Sequence, residues 1–387
     1  MNMNEEQLYL NFDEYIKASE PHKRERAEAW RVAIGLQAVD GLQVSEYLKQ
    51  TARQHIEGEI TIDEAREQIK QYYISKTQHD ADDEEKSEAD RVSGNIAKLI
   101  GSPSFTFSAA GVMAIHRGIF EGVFKHAGKL RTYDITKKEW VLQGDTIMYG
   151  RWQDLRMALD YDIEQEKQFD YRGLSRAEVI EPLAKFVSSI WQTHPFCEGN
   201  TRTTAVFSIK YLKSIGFECN NDMFEQHSWY FRNALVRANY KNVAKGINQD
   251  YSFLNKFFRN LLMDDNHELK NRYMLINPPE EWKDEASAGQ APHKHPTSTP
   301  QVEDKLNTDN INIQKLILVV GEKELSVREI MDVLGLKDRK NVLSLYLNPA
   351  IDNGYIRLLY PKSPRHPRQK YLLTIKGLAL YNELKIK

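Results

Sequence analysis

Apolar residues recur at helix-compatible intervals over most of the chain. In residues 27–43, Trp30, Ile34 and Val39 stand among polar neighbours, which predicts an amphipathic helix. Thr61-Ile62-Asp63-Glu64 has the pattern of a capping box opening another helix. Residues 91–265 form the largest and most apolar block. Its pattern predicts helices over 92–100, 108–124, 151–161, 176–192, 201–215 and 225–238. Residues 130–149 break the pattern: Tyr, Ile, Trp and Val surround Lys137-Lys138 before Gly144 interrupts. That predicts a two-stranded hairpin projecting from a helical body. The expected fold class is mainly α.

The polar stretches divide the chain. Residues 79–90 are dominated by carboxylates and read as a solvated linker with helical character. Residues 275–310 hold Pro278, Pro279, Pro292, Pro296 and Pro300 among polar residues, a composition too poor in apolar surface to fold. The expected units are a helical segment 1–75, an acidic linker 76–90, a main domain 91–274, a linker 275–310 and a tail domain 311–387. In the tail, helices over 311–320, 326–334 (Ser326 as N-cap, Glu329 completing the box) and 339–352 precede strands over 355–360 and 370–374. The strands flank a wing, 361–369, bearing Lys362, Arg365, His366 and Arg368. Such a winged helix serves either nucleic acid or protein partners.

Charge sharpens the division. The 387-residue chain is nearly neutral at −2, but residues 311–387 hold 14 Lys and Arg against 7 Asp and Glu. An acidic body is thus joined to a basic tail, and DNA is a candidate partner for 311–387. No apolar run is long enough to span a bilayer, and the acidic N-terminus lacks a signal-peptide layout. Two cysteines, Cys197 and Cys219, cannot build a disulfide framework. These features predict a cytoplasmic protein without a membrane partner.

The stretch carrying chemistry is Thr193-His194-Pro195-Phe196-Cys197-Glu198-Gly199-Asn200-Thr201-Arg202-Thr203. It reads as a loop feeding an apolar helix, whose N-terminus offers N–H groups to an anion. Gly199 and Asn200 permit backbone shapes that let N–H groups converge. Arg202 supplies a planar donor fork for phosphate, Glu198 a hard oxygen for Mg²⁺, and His194 a proton acceptor near neutral pH. Cys197 reads as a spacer, Lys137 and Lys138 as residues of a solvated tip that could dock a target, and His116 and His126 as packed on helical faces.

His194, Phe196, Glu198, Gly199, Asn200 and Arg202 match in register the motif H-x-F-x-[DE]-G-N-G-R-x-x-R, and the chain resembles the Fic family over about residues 91–260. The segments His126-Ala127-Gly128 with Leu130-Arg131-Thr132, and Tyr230-Phe231-Arg232-Asn233 with Asn239-Tyr240, extend the likeness. The resemblance implies a helical bundle with a hairpin flap. It also implies transfer of AMP from ATP to a Ser, Thr or Tyr hydroxyl of a protein, self-modification included. His194 would then be the base and Glu198 the Mg²⁺ ligand. Gly199, Asn200, Thr201 and Arg202 would cradle phosphates, Phe196 would anchor the loop, and Tyr230 and Asn233 would line the adenosine pocket. Two positions depart from the motif: Thr201 replaces a glycine, and Ala205 replaces the second arginine. The related Doc proteins also lack that arginine and transfer the terminal phosphoryl group. They lack the Glu-Gly-Asn seen here, which favours AMP transfer. A further alternative is a DNA-binding regulator carrying a degenerate Fic nucleotide sensor.

Residues 30–71 resemble the small antitoxins that partner Fic toxins, here fused in the same chain. Their motif, Ser/Thr-x-x-x-Glu-Gly/Asn, falls on Leu36, Asp40 and Gly41. The resemblance implies that Asp40 obstructs the phosphate site. With Ala205 in place of the usual arginine partner, Arg202 is the cation left for it. Gly41 is expected to let the helix end approach the loop.

Overall fold

The computed structural model describes residues 20–76, 81–217, 222–278 and 310–386, Lys362 and Arg365 excepted. Cys219, Lys362, Arg365, the segment 1–19 and most of the proline-rich linker therefore lie outside the described residues. The molecule is mainly helical, with one two-stranded antiparallel sheet near its C-terminal end among the described residues. No described helix is long and apolar enough to cross a membrane.

Helices α1 (Pro21–Gly35), α2 (Glu46–Glu57) and α3 (Ile62–Ser75) form the N-terminal segment. Local sequence starts each of them: Pro21 at the first helical position of α1, Ser45 capping α2, and the full Thr61/Glu64 box capping α3. The segment is no separate lobe. Trp30, Val32, Leu36 and Val39 belong to the same continuous core as Phe120, Phe196, Phe231 and Phe257. Helix α1 packs along α4 (Ala81–Gly101) and α9 (Asp222–Asn239).

Helix α4 absorbs most of the acidic stretch that was expected to be solvated linker. Asp90 is fully buried, accepting from the Ser45 backbone N–H at 2.9 Å, the Ser45 hydroxyl, and the Tyr73 hydroxyl at 2.7 Å. Composition alone hid this, because a carboxylate with several donors can be buried where an unpaired one cannot.

The main body continues through α5 (Ala109–Phe120), α6 (Leu155–Gln168), α7 (Arg176–Thr193), α8 (Asn200–Ser214), α9 and α10 (Ser252–Met263). Residues 130–149 double back, but without strand pairing, which corrects the expected two-stranded hairpin. The reversal is closed by the Glu139 and Asp145 backbones at 3.0 Å and by Gly144 donating to the Glu139 carbonyl. A 3₁₀ turn, Trp140–Leu142, occupies the middle. Val141, Leu142 and Ile147 are pulled into the core, and Ile276 donates to the Val141 carbonyl. Burial therefore organises this segment in place of a ladder. His126 lies in a turn after α5, where a helical face was expected.

The tail has its own core. Helices α11 (Ile311–Val320) and α12 (Val327–Leu334) precede a helical rod, α13, running through Arg339–Val342, a π turn Leu343–Leu347 and Asn348–Asp352. Strands β1 (Ile356–Leu358) and β2 (Tyr371–Leu373) pair antiparallel, and α14 (Ile375–Ile386) follows. The winged-helix expectation holds. The domain is clamped to the body by Arg176 and Glu383 at 2.7 Å and by Asn382 donating to the Leu174 carbonyl. Gly216 and Gly354 touch back to back, and a Cβ on Gly216 would stand 2.1 Å from the Gly354 carbonyl oxygen.

Candidate active site

Helix α7 starts at a Ser175/Glu178 capping box and ends at His194, which adopts a left-handed conformation (φ 47°). Arg131 holds that unusual corner. Its backbone N–H donates to the Pro195 carbonyl and its Nε to the His194 carbonyl, both at 2.9 Å, while its other nitrogens bond the Tyr133 and Gly150 carbonyls. The His194 main chain is thus fixed from the neighbouring segment.

The His194 ring is buried, and neither ring nitrogen has a hydrogen-bond partner. Tyr149 stacks on it at 4.0 Å and Trp191 meets it edge-on. Burial first, and the nearby Lys137, Arg131 and Arg232 charges next, push its pKa well below the ordinary histidine value. It is a neutral imidazole at physiological pH, in the state that accepts a proton.

Phe196 is fully buried and stacks on His116 at 3.7 Å. His116 is a packed histidine, as expected, but it also braces the loop: Nε2 bonds the Glu198 carbonyl and Nδ1 accepts from the Gly128 N–H. The Asn200 side chain folds back onto the Phe196 backbone, accepting from its N–H at 3.0 Å and donating to its carbonyl at 2.8 Å. Asn200 therefore shapes the loop with its side chain, and any anion contact falls to backbone groups. Thr201 accepts from the Trp191 indole at 2.9 Å, so its hydroxyl serves packing. No side chain caps α8, whose N-cap is Gly199 at φ 70°.

Gly199 is required twice over, by that φ and because a Cβ there would lie 2.1 Å from Phe120 Cζ. We expect Gly199→Ala to cost about 2–4 kcal/mol of stability through displaced Phe120 and backbone strain, read as a lowered urea midpoint at unchanged slope.

Arg202 is where the N-terminal segment enters. Its side chain is almost wholly buried, with Nε 2.8 Å from an Asp40 carboxylate oxygen. That nitrogen lacks a well-directed hydrogen bond, so the Asp40 contact is an ion pair of imperfect geometry. Nη1 donates to Gln37 at 3.1 Å and Nη2 to Glu88 at 2.9 Å, and the guanidinium lies over the Phe120 ring. Asp40 closes a 3₁₀ turn, Leu36–Asp40, that ends at Gly41 with φ 74°. A Cβ on Gly41 would meet nothing within 4 Å. Gly41 thus serves the turn's left-handed corner, correcting the expectation that it clears space for the loop.

Glu198 is exposed, and its carboxylate has no hydrogen-bond or ion-pair partner among the described residues. Those residues contain no cluster of three or more metal-binding side chains. Tyr230 donates its hydroxyl to the Phe253 carbonyl at 3.3 Å. Asn233 donates to Asn271 at 2.8 Å and keeps a buried, unpartnered Oδ1. Cys197 is half-buried, and Ala205 is fully buried within α8.

Sequence reasoning passed over a second network. Tyr149 donates to Glu139 at 3.1 Å, the buried Glu139 pairs with Arg232 at 3.1 Å, and Arg232 reaches the Val39 carbonyl at 3.4 Å. The turn that holds Arg202 is thereby linked to the ring covering His194. Glu88 was also missed, because nothing in an acidic run distinguishes the residue that faces inward.

Residues 106–212 match the Fic/DOC family, and residues 311–374 match the C-terminal domain of Fic-like proteins, "Filamentation induced by cAMP protein Fic-like, C-terminal domain". Over these two stretches the chain is similar to Fic/DOC family proteins and to the C-terminal domain of Fic-like proteins, and more distantly to Fic adenylyltransferases.

Among its relatives, the "Probable protein adenylyltransferase Fic" of Escherichia coli (strain K12) is 29% identical over 117 residues, covering 30% of this chain and 54% of that protein. Protein adenylyltransferase VbhT of Bartonella schoenbuchensis is 25% identical over 156 residues, covering 35% of this chain and 31% of VbhT. The chain thus spans about half the length of the first relative and under a third of the second. A Fic family protein from Desulfovibrio desulfuricans G20 aligns over 92% of this chain and 88% of its own at 15% identity and a TM-score of 0.41. The BepC protein of Bartonella tribocorum, solved with bound AMPPNP, aligns over 46% and 88% at 18% identity and a TM-score of 0.36.

Proposed function

We propose that the protein transfers AMP from ATP to a hydroxyl of a protein substrate, its own chain included, and that the described conformation is a restrained one. The observation carrying this reading is His194: a neutral, buried, unpartnered base in the loop that opens α8, with Arg202 in the first turn of that helix. In the step, the target hydroxyl oxygen bonds the α-phosphorus, the bond to the β-phosphate oxygen breaks, and pyrophosphate leaves. His194 takes the hydroxyl proton. The N-terminus of α8 and Arg202 face the charge on the phosphates. The orphaned Asn233 Oδ1 suits a donor such as the adenine amino group.

Glu198 fits the Mg²⁺ role, since an exposed carboxylate without protein partners is a hard ligand that substrate phosphates can complete. The ion would neutralise phosphate charge. We expect Glu198→Gln to lower activity and to remove the Mg²⁺ dependence of nucleotide affinity. Calorimetric titration with and without Mg²⁺ checks this, and a parental difference between the two would exclude Glu198 as ligand.

The restraint reading rests on Arg202, already held by Asp40 and Glu88, and on Tyr149 covering His194. The reaction type is tested with ATP labelled at the α- or the γ-phosphate, incubated with the protein and cell extract. Label from the α-position alone is expected. Label only from the γ-position would favour phosphoryl transfer, which Ala205 in place of a second arginine keeps in view as the competing chemistry.

A further inference from the structure

The tail domain has a face that neither the catalytic body nor its own core uses. Helices α12 and α13 are joined by a short turn at Gly335, which is left-handed (φ 65°), giving a helix-turn-helix. At the start of α13, Lys337, Arg339, Lys340, Asn341 and Ser344 are all exposed, and Leu345 is 50% exposed. Lys340 or Asn341, Ser344 and Asn348 recur three to four residues apart, so they share one side of the rod.

Of the carboxylates near this face, two serve helix starts and a third faces the body. Asp338 accepts from the Lys340 backbone N–H at 2.8 Å, and Glu329 accepts from the Ser326 N–H at 2.7 Å. Glu383 is turned toward Arg176 in the body. Asp332 sits on α12 and Asp352 at the far end of α13.

The described residues of the wing form a built element. Gln369 clasps both backbone groups of Tyr360, at 2.9 and 3.0 Å, and His366 stacks on the Tyr360 ring at 4.1 Å. Arg357 and Arg368 stand exposed on this support. Among the described residues, docking to the body uses α14 and the turn at Gly354, and the N-terminal end of α13 and the wing's Arg368 lie outside those contacts.

We propose that this face binds duplex DNA, with the start of α13 in the major groove and the wing along the phosphate backbone. Charge complementarity argues for it. The domain carries a net +7 while the rest of the chain carries −9, so a polyanion is drawn to the tail and repelled by the body. The residue types fit as well. In helix-turn-helix docking the first residues of the second helix meet base edges. Lys, Arg, Asn and Ser there are donors and acceptors for those edges, and Leu345 suits a thymine methyl. The inference is independent of the adenylyl-transfer reading.

The test is fluorescence anisotropy of the full-length protein with a labelled 24-base-pair duplex of mixed sequence, over a salt series. About three phosphate contacts give a fall in affinity of roughly 10- to 100-fold between 50 and 200 mM salt. The double variant Lys340→Glu/Arg368→Glu changes only exposed side chains. It should bind at least tenfold more weakly at low salt and reduce the salt slope by about two. Three results would each overturn the proposal: no binding up to about 100 μM at 50 mM salt, parental affinity in a folded double variant, or tighter binding to single-stranded RNA of the same length.

Discussion

Replacing His194 with alanine should lower the rate of label transfer on the order of 10²–10⁴-fold, because the proton of the attacking hydroxyl loses its acceptor. The rest of the site should persist. Arg131 grips the His194 and Pro195 carbonyls, and alanine keeps both, although the left-handed corner becomes somewhat strained. A small void would open between Tyr149 and Trp191, and a modest drop in stability should accompany the kinetic loss. ATP affinity, measured calorimetrically, should stay near the parental value. Near-full transfer by a folded variant would remove His194 from its assigned role.

The same residue sets a pH expectation. Burial lowers the His194 pKa, so the neutral, proton-accepting form persists to more acidic pH than for a free histidine. The acid limb of the transfer rate should therefore fall below pH 6.5, the ordinary histidine value. A midpoint at or above that value would mean that the ring is solvated during turnover.

Local signals in the sequence were reliable where they act through the nearest turn. The Thr61/Glu64 and Ser326/Glu329 boxes, the helices of the body and the winged tail all depend on spacing within a few residues. What escaped were side chains whose partners are remote in sequence. Asp90 and Glu88 sit in a run of acids that reads as solvated, yet one is buried under Ser45 and Tyr73 and the other reaches Arg202 from 114 residues away. Residues 130–149 carry strand-forming side chains, but Val141, Leu142 and Ile147 are drawn into the body and Glu139 is committed to Arg232 and Tyr149. Pairing a hairpin would have competed with those contacts. At the candidate site, the motif singled out His194, Phe196, Gly199 and Arg202, and the structure gathers them at the loop that opens α8. It said nothing of Tyr149 lying over the base, because stacking between distant segments leaves no periodic trace.

Removing the acids that hold Arg202 should raise transfer, and removing both should raise it most. Asp40→Ala deletes an ion pair whose Nε contact is poorly directed and whose carboxylate is about one-third exposed, so solvent screening weakens it. Glu88 would keep Nη2 in place, and Gln37 would keep Nη1. The single substitution should therefore give only a severalfold gain. With Asp40→Ala/Glu88→Ala, no carboxylate competes with the phosphates for the guanidinium. A charge-assisted hydrogen bond contributes about 1.5–3 kcal/mol, so the double variant should reach roughly 10- to 100-fold, and the two effects should not add because they share one side chain. A stability signature separates this release from a general loosening. A nearly buried arginine without an anion is costly, so the double variant should melt lower than the parent in the absence of nucleotide. Saturating ATP should then raise its melting temperature by more than it raises the parent's, since the phosphates supply the missing charge. If the double variant transfers label at the parental rate and ATP shifts both melting temperatures equally, Arg202 is not the point of restraint. The N-terminal segment would then act as a packed structural arm, consistent with Trp30, Leu36 and Val39 being part of the common core.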